Sequence, residues 1–460
     1  GPPLNPAAHA DQALFRAARE GDLGVLERLL GDRAGNQLIE DLLPSGESLL
    51  HTAAWHGQSA VAQMLLARRH PVGHCSRNRS APLHYAAWQG QVEVAKVLVD
   101  GQANLEQRML GGDTPLHQAA WHGHLPMLNF LLSRGASVFA LKDDGDTALA
   151  LSTFRGHLDA SRELLRRMTS EECQDSASSS DPTFWNRLRN YFGCGPLHTG
   201  ASSGNVDILR LLLDAKCPIS HKDDVEDTVL HRAIHSGSEE AVSLLLERGA
   251  ELEAVRASDE QTPLQLALVE GYTRMCRFLI ERRASIDTMR ADGMKALHCA
   301  VLREATFAPR AGEGSVIALV AEMRADPQVR SRSGLTALAL VLNPGLQAPR
   351  RMVALRTVID IKADLDAATN PDGSRPLHTT VNHNMQGEAA VLLERRADPN
   401  VSRQDACTPL HLAVFKGSLP MVELLLRARA DPSLPTRNNL SALELARQHG
   451  FDAILRRLQQ

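Results

Sequence analysis

Residues 114–136 read Thr-Pro-Leu-His-Gln-Ala-Ala-Trp-His-Gly-His-Leu-Pro-Met-Leu-Asn-Phe-Leu-Leu-Ser-Arg-Gly-Ala. The stretch spells two short helices joined by a turn. Thr114 suits a helix N-cap, where its hydroxyl accepts from an orphan backbone N–H. Pro115 fits the first helical position, where a missing N–H costs nothing. Leu116, Ala119 and Ala120 make an apolar stripe at helical spacing, and Gly123 permits the left-handed conformation that stops the helix. The second helix carries Pro126 in its first turn and Leu128, Leu131 and Leu132 facing inward. Gly135 ends it.

The chain writes this pattern repeatedly. Its anchor leucine recurs as Leu14, Leu50, Leu83, Leu116, Leu149, Leu197, Leu230, Leu264, Leu297, Leu338, Leu377, Leu410 and Leu443. Seven of the twelve intervals are 33 residues, a regularity that chance does not produce. Seven residues after each anchor, where the first helix must stop, stands glycine in every register except two, which hold Glu304 and Asn384. Asn tolerates the left-handed region and Glu does so less readily, so a rebuilt turn is expected at Glu304.

A Thr-Pro-Leu-His signature on a period of about 33 residues resembles the ankyrin repeat, and the resemblance covers nearly the whole chain. It implies an all-α solenoid of about thirteen helix-turn-helix units including caps, with one finger-loop insertion. Helices of two turns do not persist alone, so the units must bury their faces against neighbours in single file.

The organisation follows from departures in the period. Residues 1–10 read as a linker, 11–168 as repeats opening on an N-terminal cap, 169–192 as the insertion, and 193–460 as repeats closing on a polar C-terminal cap. The first half of the insertion, Thr-Ser-Glu-Glu-Cys-Gln-Asp-Ser-Ala-Ser-Ser-Ser, is too polar to pack and reads as mobile. Its second half starts a helix at Asp181-Pro182 that would place Phe184, Leu188 and Tyr191 on one face. Two smaller insertions, near 305–313 and 344–350, fall between paired helices.

Composition narrows the function classes. At 460 residues the chain exceeds one compact core. A net charge of -4 gives no general attraction for nucleic acid or anionic membrane, and no apolar run reaches the ~18 residues that span a bilayer. Seven scattered cysteines without a C-x-x-C pair point to a reducing, intracellular setting, cytoplasmic or nuclear. The start Gly1-Pro2-Pro3 carries neither an initiating Met nor a signal pattern, so a fragment or processed product is expected. The chain is expected to be monomeric.

Catalytic chemistry finds no foothold. Eight histidines (51, 84, 117, 198, 231, 298, 378, 411) follow anchor leucines, but neighbours one repeat apart cannot share a metal at ~2 Å. The resemblance implies that they bond backbone between adjacent loops. His70, His74 and Cys75 offer three zinc-type ligands without an obvious fourth. Gly312-Glu313-Gly314 is no phosphate loop, and no G-x-S-x-G or H-E-x-x-H motif occurs. Asp143, Asp144, Asp146, Asp223, Asp224 and Asp227 read as solvated turn residues rather than a calcium site. No enzyme activity, metal or cofactor is expected.

What stands out is an aromatic ladder. Five residues after the anchor, consecutive registers carry Trp55, Trp88, Trp121 and Phe154. The resemblance places this position on the concave face, and Tyr191 and Phe192 at nearby finger positions. Large aromatics concentrate binding energy. The competing reading is that each ring lies flat on the next repeat and only stiffens the stack. An aromatic cage for a methylated lysine, from Trp121, Phe154 and finger aspartates, is a narrower possibility. The expected role is a non-catalytic scaffold that binds a partner protein or peptide through Trp55, His56, Trp88, Trp121, His122, Phe154, Trp185, Tyr191 and Phe192. The alternative is a targeting or adaptor module of a larger enzyme, such as a ubiquitin ligase or kinase. Phosphate on the serine run beside the aromatic segment would act as a switch.

Overall fold

The computed structural model describes residues 9–34, 43–172, 182–308, 312–368 and 372–460. The serine run Ser176, Ser178, Ser179 and Ser180, and nearly all of the linker expected over 1–10, lie outside them. The described residues form 27 helices, with one isolated bridge, Lys222 to Thr228, in place of any strand. The helices make thirteen inner–outer pairs and one extra helix, Pro182–Arg187, inside the insertion. The chain divides into two compact units, Gly1–Glu251 and Leu252–Gln460.

In the first unit the inner helices Leu49–His56, Pro82–Gln89, Pro115–Trp121 and Ala148–Arg155 are two turns each. They stack because the anchor leucine and the two small residues after it are fully sequestered: Leu50, Ala53 and Ala54, then Leu83, Ala86 and Ala87, then Leu116, Ala119 and Ala120. The small residues let helices approach closely, and the outer helices seal the other side with residues such as Val94, Leu98, Leu128 and Leu131. Cutting one such leucine to alanine removes about 2–5 kcal/mol.

The fingers are held by main chain. Arg77 N–H donates to Ser45 O (2.9 Å), Leu110 to Asn78 (2.8 Å), Asp143 to Gly111 (3.1 Å), Tyr191 to Asp144 (3.0 Å) and Asp224 to Phe192 (3.0 Å). Tyr191 and Phe192 therefore occupy the finger tip that follows Asp143 and Asp144, and the insertion leaves this zipper unbroken. The second unit repeats the device at Ala291 to Asp259 and Arg332 to Asp292.

At His51, His84, His117, His298 and His378 the histidine after the anchor clamps its own helix to the next finger, whereas Nε2 of His198 and of His411 is buried without a partner among the described residues. His51 Nδ1 accepts from Ser48 N–H (3.0 Å) while its Nε2 reaches Ser80 O (3.0 Å). His84 does the same with Ala81 N–H and Asp113 O, and His117 with Thr114 N–H and Ala140 O. An Nδ1 that accepts leaves the proton on Nε2, so the geometry requires the neutral ring. Burial pushes His51 down to about 3 and His117 down to about 4.

Several expectations need correction. Thr114 does not cap through its hydroxyl, which meets His117 Nδ1 at 2.9 Å; Thr147 does, accepting from Ala150 N–H at 3.2 Å. The outer helix Leu158–Glu172 runs four residues into the insertion, so residues 169–172 are helical rather than loose. The insertion helix ends at Arg187, and Tyr191 stands at the finger tip instead of sharing a face with Phe184 and Leu188. At Glu304 the turn is rebuilt: the inner helix Ala296–Thr306 continues past it. The Glu304 carboxylate then accepts from Ser315 Oγ (2.7 Å) and Ile317 N–H (3.0 Å), capping the outer helix Val316–Glu322. Gly345 falls beyond an inner helix that has already ended at Val341.

Candidate functional site

Two rungs of the ladder, Trp88 and Trp121, are each set by the glycine two residues on and a histidine of the next repeat. Gly90 and Gly123 adopt φ of +71°, and both admit a histidine from the next unit. His124 Nε2 meets Trp88 O at 2.8 Å, and His157 Nε2 meets Trp121 O at 3.0 Å. A Cβ on Gly90 would lie 2.9 Å from the His124 ring, and one on Gly123 would lie 2.5 Å from that of His157. The backbones carrying the Trp88 and Trp121 indoles are thus pinned by the following repeat.

The rings form two groups rather than one continuous ladder. Trp55 stands 5.7 Å from Tyr85 and 6.1 Å from Trp88, and Trp88 lies 4.6 Å from the His122 ring. Separately, Trp121 stacks on Phe154 at 6.1 Å with 21° between planes. The Arg155 guanidinium sits over the Trp121 ring at 4.8 Å. None of these rings is sealed: Trp88 is 40% exposed and Phe154 47%, while Trp55 and Trp121 are half-buried. His56 is exposed and His122 half-buried. Burial and the neighbouring His124, Arg155 and His157 lower the His122 pKa.

At the finger tips Tyr191 and Phe192 are 67% and 64% exposed. Trp185, expected among the contact residues, is instead 2% exposed, packed edge-on against buried Phe184 at 4.9 Å. It anchors the insertion to the repeats and cannot meet a partner from there. Tyr85, absent from the residues expected at the site, also belongs to the Trp55 and Trp88 group: its ring bridges His51 and Trp55 and its hydroxyl donates to Glu47 Oε1. Its place three residues before Trp88, one turn back on the same helix face, is the signal that could have found it. Leu110 and Val225 were not expected there either; both are exposed at finger tips on either side of Tyr191 and Phe192.

The aspartates of the fingers are less solvated than expected. Asp223 and Asp227 are buried, and Arg232 bonds Asp223 and approaches Asp227 at 3.5 Å. Burial opposes ionisation of Asp223, yet the Arg232 guanidinium and the Asp227 N–H together hold its carboxyl below the usual range. Asp143 pairs with Arg108 at 2.7 Å, Lys142 lies 3.1 Å from Asp144 and 4.0 Å from Asp113, and Asn190 donates to Asp146.

His70, His74 and Cys75 do not converge on a common point. His70 Nδ1 turns to Pro71 O, His74 Nε2 to Gly46 O, and the Cys75 thiol to Gly73 O. Among the described residues no group of three or more His, Cys, Asp or Glu is arranged to hold a metal ion, and no helix is long and apolar enough to cross a membrane.

Comparison with known proteins agrees with this architecture. Ankyrin-repeat family models match residues 14–109, 50–142, 101–176 and 179–256 (three-copy model), and also 264–307 and 392–446 (many-copy models). The chain is similar to the B-cell lymphoma 3 protein homolog of Mus musculus, 29% identical over 203 residues, spanning 40% of this chain and 42% of that protein. It is also similar to the Nuclear factor NF-kappa-B p105 subunit of Gallus gallus, 28% identical over 187 residues, spanning 40% of this chain and 18% of that protein. The match thus spans less than half the length of either relative. Among solved structures, the human ASB11 ankyrin repeat domain aligns with a TM-score of 0.43 at 22% identity, covering 52% of this chain and 98% of that one. Ankyrin repeats mediate protein–protein interaction. With the three-copy model alone matching more than half of its length, the chain belongs to the ankyrin-repeat family.

Proposed function

We propose that this chain is a non-catalytic scaffold that binds a partner protein or peptide along the inner-helix face of residues 45–200, with Trp55, Trp88, Trp121 and Phe154 as anchors. The observation that carries the reading is the open area on Trp88 and Phe154, where His124 of the next repeat holds the Trp88 backbone and His157 that of Trp121, the ring on which Phe154 stacks. Covering that open area contributes about 2 kcal/mol per ring, and rings held in advance lose little entropy on binding. His56 and His122 add polar contacts, and Tyr191 and Phe192 extend the surface to the fingers. The test is a pull-down comparing the wild-type chain with a Trp55→Ala/Trp88→Ala/Trp121→Ala variant whose helicity is checked by circular dichroism. The reading expects proteins retained by the wild type and lost from a folded variant; identical capture by both would refute it.

A further inference from the structure

The charge left open beside the rings has one sign. Six consecutive inner helices, Leu49–His56, Pro82–Gln89, Pro115–Trp121, Ala148–Arg155, Pro196–Ser203 and Val229–Ser236, contain no Asp or Glu. What they present is aromatic, imidazole, guanidinium or neutral polar, as at Gln89, Ser202 and Ser203. Arg155 is exposed, spreads its guanidinium over Trp121 at 4.8 Å, and has no carboxylate partner among the described residues. The nearby carboxylates are committed elsewhere. Asp143 is held by Arg108, Asp113 and Asp144 by Lys142, Asp224 by Arg189 at 3.9 Å, Asp223 and Asp227 by Arg232, and Glu47 by the Tyr85 hydroxyl.

We propose that the partner of this face is a linear peptide segment carrying an acidic side chain within one or two residues of an aromatic or large aliphatic one. This rests on the ladder being the recognition surface. The apolar residue covers Trp88 or Phe154, and the carboxylate takes the free edge of the Arg155 guanidinium, which already lies flat on Trp121. A guanidinium stacked on a ring keeps its in-plane N–H groups available, and a carboxylate matches that fork. The same geometry speaks against a methylated-lysine cage, because the Trp121 face already holds a cation and a second would be repelled. It also disfavours a nucleic-acid strand. A phosphate chain needs several cations in a row, whereas residues 1–251 carry 23 Lys and Arg against 31 Asp and Glu.

The experiment pans a random 12-residue peptide display library on the wild-type chain and on Arg155→Glu, Trp88→Ala and Phe154→Ala variants, each checked for helicity. Recovered peptides and a single-stranded RNA 12-mer are then titrated by fluorescence polarisation. The proposal expects wild-type peptides enriched in Asp or Glu next to Phe, Trp or Leu, bound at least tenfold more weakly by Arg155→Glu. It expects peptides recovered on Arg155→Glu to favour Lys or Arg instead. Peptides that need Trp88 or Phe154 but show no acidic enrichment, or bind Arg155→Glu equally well, overturn this inference and leave the recognition surface standing. Peptides indifferent to both rings, or none recovered, overturn both. RNA bound more tightly than any peptide overturns the peptide assignment.

Discussion

His124 Nε2 lies 2.8 Å from the carbonyl oxygen of Trp88, so one repeat holds the rung of the one before it. Gly90 makes room for that imidazole. Gly90→Ala should therefore destabilise by more than the ~1 kcal/mol of a left-handed alanine, because its Cβ also displaces the ring. His124→Ala, which only loses the bond, should cost about 1 kcal/mol. Urea unfolding of the two variants checks the order; equal losses would mean that the close approach is unimportant.

The buried histidines after the anchors set a pH dependence. Burial, the largest cause, lowers His51 to about 3 and holds His117, His198 and His378 at about 4, against about 6.5 when unfolded. Between those values the unfolded chain binds more protons. Stability is then complete above pH ~6.5 and falls as pH drops toward 4, by up to ~1.4 kcal/mol per pH unit for each site. One register shows how to remove the titration: Gln265 accepts from Thr262 N–H (3.0 Å) and donates to Thr288 O (2.7 Å). His117→Gln should stay within ~1 kcal/mol of wild type at pH 7 and gain about 2 kcal/mol relative to it at pH 5. Thermal melts at both values give the answer, and parallel shifts would exclude the neutral-histidine clamp.

The repeat was legible because its spacing, caps and glycines are local features. The eight histidines could be placed on backbone by the resemblance, and that is where His51, His84, His117, His298 and His378 reach neighbouring carbonyls. The fate of Trp185 was not legible. Phe184 and Trp185 are adjacent and point about 100° apart on a helix, yet both are buried, which only surroundings distant in sequence can bring about. Asp223 looked solvated because Arg232, which neutralises it, belongs to the following helix. Whether a ring is open or sealed likewise depends on the side chain one repeat away, as His122 against Trp88 shows.

In the second unit, Arg351 Nε lies 2.7 Å from Glu388 Oε1, both side chains buried. Removing one partner strands the other charge. Glu388→Ala should destabilise by about 3–5 kcal/mol, whereas Arg351→Met/Glu388→Leu should be neutral or stabilising. Denaturant unfolding of the single and double variants decides; a mild single loss would show that water reaches the site.

Glu304 replaces the usual helix-stopping glycine and caps the outer helix after it. Glu304→Ala should cost about 1–2 kcal/mol. Glu304→Gly should not recover it, since no left-handed residue is needed there. Recovery by glycine would contradict the rebuilt turn.

The central claim is that the open rings serve recognition rather than the stack. Its most direct test is one paired measurement on Trp88→Ala/Phe154→Ala: affinity for a peptide selected on the wild type, and unfolding free energy of the same sample. The account predicts a loss of at least ~2 kcal/mol in binding with about 1 kcal/mol or less in folding. Unchanged binding with a folding loss of several kcal/mol would make the rings structural struts.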